Sequence, residues 1–269
     1  MKKKLLYYCS YVPVELLEEA GFEMQSIHEL SLGARGRLCL PGSPCSFIQY
    51  CCDIPYEAYD GILFVNCCNS SQRMYDYVGY HYPDIFCYLM ELPGAGGDIW
   101  NYEELIKAVN KYFGCSVSLG KVKNAFQIST WVLEEKGRLL VLSSAVHEGY
   151  AEALRELFGD YCCQFITCND ENRGIRFLRG EETACPRRAD YFSAISKQLT
   201  NVSGLIVISQ KNCDPILFSY PVIYKLCQDR KIKCLRVEEE YGSRLSPRSR
   251  LRYEAFLEEL EMRRRKHGK

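Results

Sequence analysis

The sequence predicts an α/β fold built from two similar lobes of parallel sheet, and three observations carry that expectation. Short apolar runs alternate with amphipathic segments, the pattern of parallel strands linked by helices. Gly61-Ile-Leu-Phe-Val-Asn-Cys-Cys68 resembles Gly204-Leu-Ile-Val-Ile-Ser-Gln-Lys-Asn-Cys213, each a buried strand that ends near Asn and Cys and runs into a helix. The following strands also match: Asp84-Ile-Phe-Cys-Tyr-Leu-Met-Glu91 stands beside Lys231-Ile-Lys-Cys-Leu-Arg-Val-Glu238, each with an acidic amphipathic helix after it. Two pseudo-equivalent Rossmann- or flavodoxin-like lobes are therefore expected, their sheets facing across an interlobe cleft.

In chain order, strands are expected near 4–9, 61–66, 84–92, 137–143, 162–168, 204–210 and 231–238. Helices are expected near 13–20, 69–79, 101–113, 121–135, 148–158, 187–199, 215–229 and 247–265. The lobes then span 1–120 and 137–269, joined by a helical connector over 121–136. Lysines 2 to 4 before Leu5, Leu6, Tyr7 and Tyr8 look briefly like a signal peptide. The apolar run ends at Ser10 without a small-residue cleavage site, so it reads as a first strand.

The composition is that of a globular protein: 269 residues, 47% apolar, with 34 Lys and Arg balanced by 34 Asp and Glu. That balance argues against a general nucleic-acid or acidic-membrane binder, which carries a basic surplus. No stretch approaches the roughly 18–20 apolar residues that span a bilayer. A cytoplasmic protein is expected.

Sixteen cysteines are the unusual feature. A secreted disulfide scaffold is shorter and poorer in core residues, so a reducing, anaerobic cytosol fits better. Cys39, Cys87, Cys115, Cys227 and Cys234 read as small apolar residues. The pairs Cys51-Cys52, Cys67-Cys68 and Cys162-Cys163 cannot place both thiols on one face of a strand. No CxxC occurs, and the histidines at 28, 81, 147 and 267 are scattered, so zinc motifs of fixed spacing are absent.

Open parallel sheets bind ligands beyond the carboxyl ends of their strands. Cys68 and Cys213 fall there, one in each lobe, and Cys45 lies on the loop Pro41-Gly-Ser-Pro-Cys-Ser46 before the strand that ends at Cys68. Cys185, in Thr183-Ala-Cys-Pro-Arg187, is the counterpart of Cys45 in the second lobe. Single cysteines from several loop ends can assemble a metal or iron–sulfur site, and soft thiolates select zinc or iron–sulfur clusters. Burial as a small hydrophobe remains open for each of them on the residues alone. Pro93-Gly-Ala-Gly-Gly97 is neither GxGxxG nor a Walker loop and reads as a turn, and Arg263-Arg-Arg-Lys266 reads as a solvated helix end.

The same segments resemble the 2-hydroxyacyl-CoA dehydratase family, which includes benzoyl-CoA reductase subunits and double-cubane cluster proteins. Cys9-Ser-Tyr-Val-Pro-Val-Glu-Leu-Leu-Glu-Glu-Ala-Gly21 is similar to the family's opening segment, and Pro44-Cys-Ser-Phe-Ile48 to its first cluster-cysteine loop. Phe64-Val-Asn-Cys-Cys-Asn-Ser-Ser-Gln-Arg-Met-Tyr-Asp76 resembles the strand-end segment with Cys68 on the ligand position; Asn69 stands where the family usually has Asp. Lys211-Asn-Cys-Asp-Pro215, Tyr220-Pro221, Glu238 to Glu240 and Leu251-Arg-Tyr-Glu-Ala-Phe-Leu-Glu-Glu259 follow in the family's order. The chain is shorter than the usual subunit, chiefly around 121–135, a region that helps shape the substrate cleft in full-length relatives.

The resemblance implies that Cys45, Cys68 and Cys213 hold a [4Fe–4S] cluster with one iron open, with Cys52, Cys168 and Cys185 as additional ligands in a double-cubane [8Fe–9S] alternative. It implies a lyase in which a separate ATP-hydrolysing activator injects one low-potential electron. The cluster passes that electron to a 2-hydroxyacyl-CoA thioester, whose ketyl radical expels the α-hydroxyl. A second dehydratase-like subunit or a homodimer completes the assembly. Two other readings stand beside this one: a reductase or electron relay with one or two cubanes, and a cluster-free accessory module of the same fold.

Overall fold

A computed structural model describes residues 2–32, 44–91, 100–119, 137–167, 185, 191–242 and 244–267. The expected helix over 121–135, the Pro93–Gly97 turn, Cys39 and Cys168 lie outside these residues.

Two four-stranded, all-parallel sheets form the frame. The first consists of β1 (Lys4–Tyr7), β2 (Glu23–Ser26), β3 (Gly61–Asn66) and β4 (Phe86–Glu91), in the order β2-β1-β3-β4. The second consists of β5 (Arg138–Ser143), β6 (Cys162–Ile166), β7 (Val202–Gln210) and β8 (Lys233–Glu239), in the order β6-β5-β7-β8. The orders are the same, and the registers agree as well. Leu5 pairs with Gly61 and Gly61 with Phe86, while Leu139 pairs with Gly204 and Gly204 with Lys233. Matching the two glycines makes Cys9 and Ser10 the counterparts of Ser143 and Ser144. The strand order reverses between β1 and β3 and between β5 and β7, which is where such sheets open a crevice.

The helices are α1 (Val14–Glu19), α2 (Ser46–Cys51), α3 (Asn69–His81), α4 (Trp100–Phe113), α5 (Glu148–Phe158), α6 (Tyr191–Gln198), α7 (Asp214–Asp229) and α8 (Pro247–His267). The two lobes follow the expectation, with two elements added to it. β2, Glu23-Met-Gln-Ser, is a polar edge strand without the apolar run that marks the central ones. α2 is a short helix where a loop was expected, so the Cys51-Cys52 pair sits at a helix end and the strand argument does not apply to it.

Period-two alternation explains the core. Leu139, Val141, Ile206 and Ile208 face one side of the second sheet, against Leu154 of α5 and Phe256 and Leu260 of α8. Leu140, Leu142, Leu205 and Val207 face the other, where Ile195 of α6 and Ile216 and Ile223 of α7 join them. This second layer is continuous with the buried Leu5, Leu6 and Ile62–Val65 of the first sheet, so the lobes share one core. Gly61 is needed because a Cβ there would stand 2.6 Å from the Phe86 carbonyl oxygen; at Gly204 it would stand 2.8 Å from the Phe256 ring.

Aromatic rings seal the lobes together. Phe47 stacks on His28 at 4.9 Å between ring centroids and meets Tyr241 edge-on at 4.7 Å. Tyr241 also packs against Tyr50, and its hydroxyl is 2.7 Å from His28 Nδ1. His147 Nε2 bonds the Leu30 carbonyl at 3.0 Å. The amide of Ser46 donates to the Lys211 carbonyl at 3.0 Å, and Ser46 Oγ accepts from the Tyr241 amide at 2.9 Å. Among the described residues no helix is long and apolar enough to cross a membrane.

Candidate thiol site at the sheet ends

Three helices begin at the carboxyl ends of the sheets, and each has a cysteine as its N-cap: Cys45 for α2, Cys68 for α3 and Cys213 for α7. The local causes differ. β3 ends at Asn66, Cys67 follows, and Cys68 turns the chain into α3, its sulfur accepting the Ser71 amide at 3.4 Å. After β7 the chain makes a longer excursion through Lys211 and Asn212, the latter at a left-handed φ of 62°, before Cys213 starts α7. Pro215 is tolerated in that first turn because its missing N–H would have had no helical partner. Cys45 is placed by α2, whose first amide docks on the second lobe through Lys211.

Cys45 lies within electrostatic reach of both Cys213 and Cys68. Burial, with the neighbouring Cys213 and Cys68, pushes the Cys45 thiol up to about 12, against the Ile48 and Phe47 amides, which work the other way. The Tyr8 hydroxyl is driven well above the usual phenol range, first by burial and then by Cys68, Cys67, Cys45 and Cys51 around it. Tyr8, the first residue past β1, thus lies within electrostatic reach of four thiols. Its ring packs on Phe47 and Phe64.

Cys185 is buried in the shared core, and Cys52, at the end of α2, is disulfide-bonded and in that state offers no thiolate. Cys227 is fully buried, while Cys87, Cys115 and Cys234 are half-buried. Among the described residues no group of three His, Cys, Asp or Glu side chains is placed around a single metal ion.

The donor set fits an iron–sulfur cluster chemically. The Cys45 thiol, which burial and its neighbours Cys213 and Cys68 hold protonated, would ionise once a soft cation bound it. The N-termini of α3 and α7 add a favourable potential for the anionic sulfurs. Polar groups missed in the sequence complete the setting. Ser10 Oγ is buried without a hydrogen-bond partner at the end of β1, and its register counterpart Ser144 lies 3.1 Å from the Cys213 sulfur. The sole sequence signal for them is the pair of short polar runs, Cys9-Ser10 and Ser143-Ser144, that close the two first strands.

Residues 9–166 match the family model described as 2-hydroxyglutaryl-CoA dehydratase, D-component, over more than half of the chain. The chain belongs to that dehydratase family. The match takes in Cys45 and Cys68 and stops before Cys213. Two solved structures align over most of the dehydratase-family chain, each at 11% identity. The SBP FpvC from Pseudomonas aeruginosa in complex with Mn2+ covers 90% of this chain and 91% of its own, with a TM-score of 0.27. The Escherichia coli RcsC C-terminus, with its linker region and phosphoreceiver domain, covers 99% and 94%, with a TM-score of 0.25. No curated protein sequence matches significantly.

Proposed function

We propose that the chain is an iron–sulfur subunit of 2-hydroxyacyl-CoA dehydratase type, with Cys45, Cys68 and Cys213 holding a [4Fe–4S] cluster that keeps one iron open. What supports this reading is a single observation in a chain of that family: the Cys45 thiol feels both Cys213 and Cys68, so thiols from both lobes lie near it. Held there, a cluster would supply one-electron reduction of a 2-hydroxyacyl-CoA thioester, the chemistry that lets its α-hydroxyl leave and makes its β-hydrogen acidic. The chain's own part is to bring the sulfurs together from two lobes, to keep water away with Tyr8, Phe47 and Phe64, and to orient the thiolates by helix amides.

The sequence has no P-loop, so the electron would come from a separate ATP-hydrolysing activator in an anaerobic cytoplasm. A second dehydratase-like subunit, or a second copy of this chain, would complete the substrate cleft. Anaerobic purification followed by iron and sulfide analysis tests the reading, with about four irons per chain expected. About eight would move it to the double-cubane form, in which Cys52, Cys168 and Cys185 add ligands; none would move it to the accessory module. Turnover of a 2-hydroxyacyl-CoA in the presence of activator and ATP separates a dehydratase from an electron relay.

A further inference from the structure

A chain of hydroxyls and one amide ends on the Cys213 sulfur. Ser144 Oγ stands 3.1 Å from that sulfur and 2.6 Å from Gln210 Oε1. Gln210 Nε2 donates to the Ala145 carbonyl and, at 2.9 Å, to Ser143 Oγ. A carbonyl only accepts, so the Gln210 NH2 group must face Ala145 and its oxygen must face Ser144. Ser143 Oγ in turn has the Ile208 carbonyl at 2.8 Å, the Ala145 carbonyl at 3.1 Å and Gln210 Oε1 at 3.2 Å. Each hydroxyl owns one proton and so donates to one of these acceptors at a time.

The consequence depends on the state of the sulfur. As a thiol, Cys213 donates to Ser144, and Ser144 donates to Gln210. A metal-bound sulfur has no proton, and two lone pairs would then face each other across 3.1 Å unless Ser144 turned its proton round. Gln210 Oε1 need not go unpaired after that turn, because the Ser143 proton is within reach of it. We propose that Ser144 is a positioning residue whose hydroxyl, released from Gln210 Oε1, donates to the Cys213 sulfur in the cluster-loaded protein and raises the cluster's reduction potential. This rests on the reading of Cys213 as a cluster ligand.

The contrast with the first lobe sharpens the assignment. Cys68 takes a backbone amide, that of Ser71, whereas Cys213 caps no amide of its own helix with its side chain. A charge-assisted O–H···S bond favours the more negative, reduced state, and hydrogen bonds to cluster sulfurs are among the determinants of their potential. The donor on the second lobe is the one a single substitution can remove.

The test uses the full chain, loaded anaerobically with iron and sulfide, poised at a series of potentials and read by electron paramagnetic resonance of the reduced cluster. Ser144→Ala should shift the reduction equilibrium about tenfold towards the oxidised form, which for one electron is about 59 mV downward. Ser144→Thr, which keeps the hydroxyl, should retain the wild-type midpoint. Gln210→Met removes the competing acceptor and should move the midpoint upward. Equal midpoints for loaded wild type and Ser144→Ala overturn the inference and leave the cluster reading intact; a wild type that takes up no iron overturns both. If Ser144→Ala does not fold, Gln210→Met decides, and a midpoint at or below the wild-type value counts against the hydroxyl.

Discussion

The two lobes carry the same sheet in the same register and use it differently. In the first, β3 leads within two residues to a thiol that caps its own helix with backbone support from Ser71. In the second, the excursion through Lys211 and Asn212 delays the thiol, gives the first lobe a carbonyl to dock on, and sets the sulfur beside the Ser144 hydroxyl. The repeat therefore fixes where a ligand can bind, and the two extra residues fix how the lobes are joined around it.

The largest effect expected concerns the thiols. Replacing Cys68 or Cys213 by Ser should abolish the iron–sulfur absorbance after anaerobic reconstitution, while Cys87→Ser should leave it in place; equal behaviour of the three variants would break the equivalence of the lobes at the site. Next in size is the seam. Tyr241→Ala removes a buried ring touching Phe47, Tyr50 and His28, and denaturant unfolding should show a loss of about 3–5 kcal/mol. The paired glycines come third. A Cβ at Gly61 meets the Phe86 backbone, which has little room to shift, so Gly61→Ala should cost about 1–3 kcal/mol. Gly204→Ala meets the ends of the Phe256 and Leu260 side chains and should cost less. A larger loss at Gly204 would mean that α8, not strand pairing, dictates that glycine.

The last effect is a slope with pH. Burial, opposed by the Tyr8 backbone and helped by a smaller contribution from His147, lowers His28 from 6.5 to about 3. The unfolded chain therefore binds a proton that the folded one refuses. Stability is full above about pH 6.5 and falls as the pH drops towards 3, by about 1.4 kcal/mol per pH unit from this group. Urea midpoints of wild type and His28→Phe, measured from pH 7 to 4, should diverge accordingly; parallel curves would remove His28 from the seam's acid sensitivity.

Much of this was legible in the residues. Continuous apolar runs announce β3, β5 and β7, and a cysteine shortly after β3 and β7 announces where chemistry can sit. β2 was not legible because a four-residue polar edge strand lacks that run, and α2 was hidden because Pro44 and its neighbours read as a loop. Tyr8, Ser144, Gln210 and Tyr241 were invisible for a different reason. Their roles depend on register and on contacts between distant parts of the chain, and no local pattern encodes either.

The ties through Ser46 and His28 have one more consequence, for the order of folding. They join residues 195 and 213 positions apart, whereas each sheet pairs strands far closer in sequence. Contacts of such long range carry the greatest loop-closure cost and form late. Each lobe is thus expected to mature before the joint shuts, with Cys68 and Cys213 open to solvent in the interval. The cluster proposed above would have its opportunity to enter in that interval, because closing the joint is also what sets Cys45 beside Cys213.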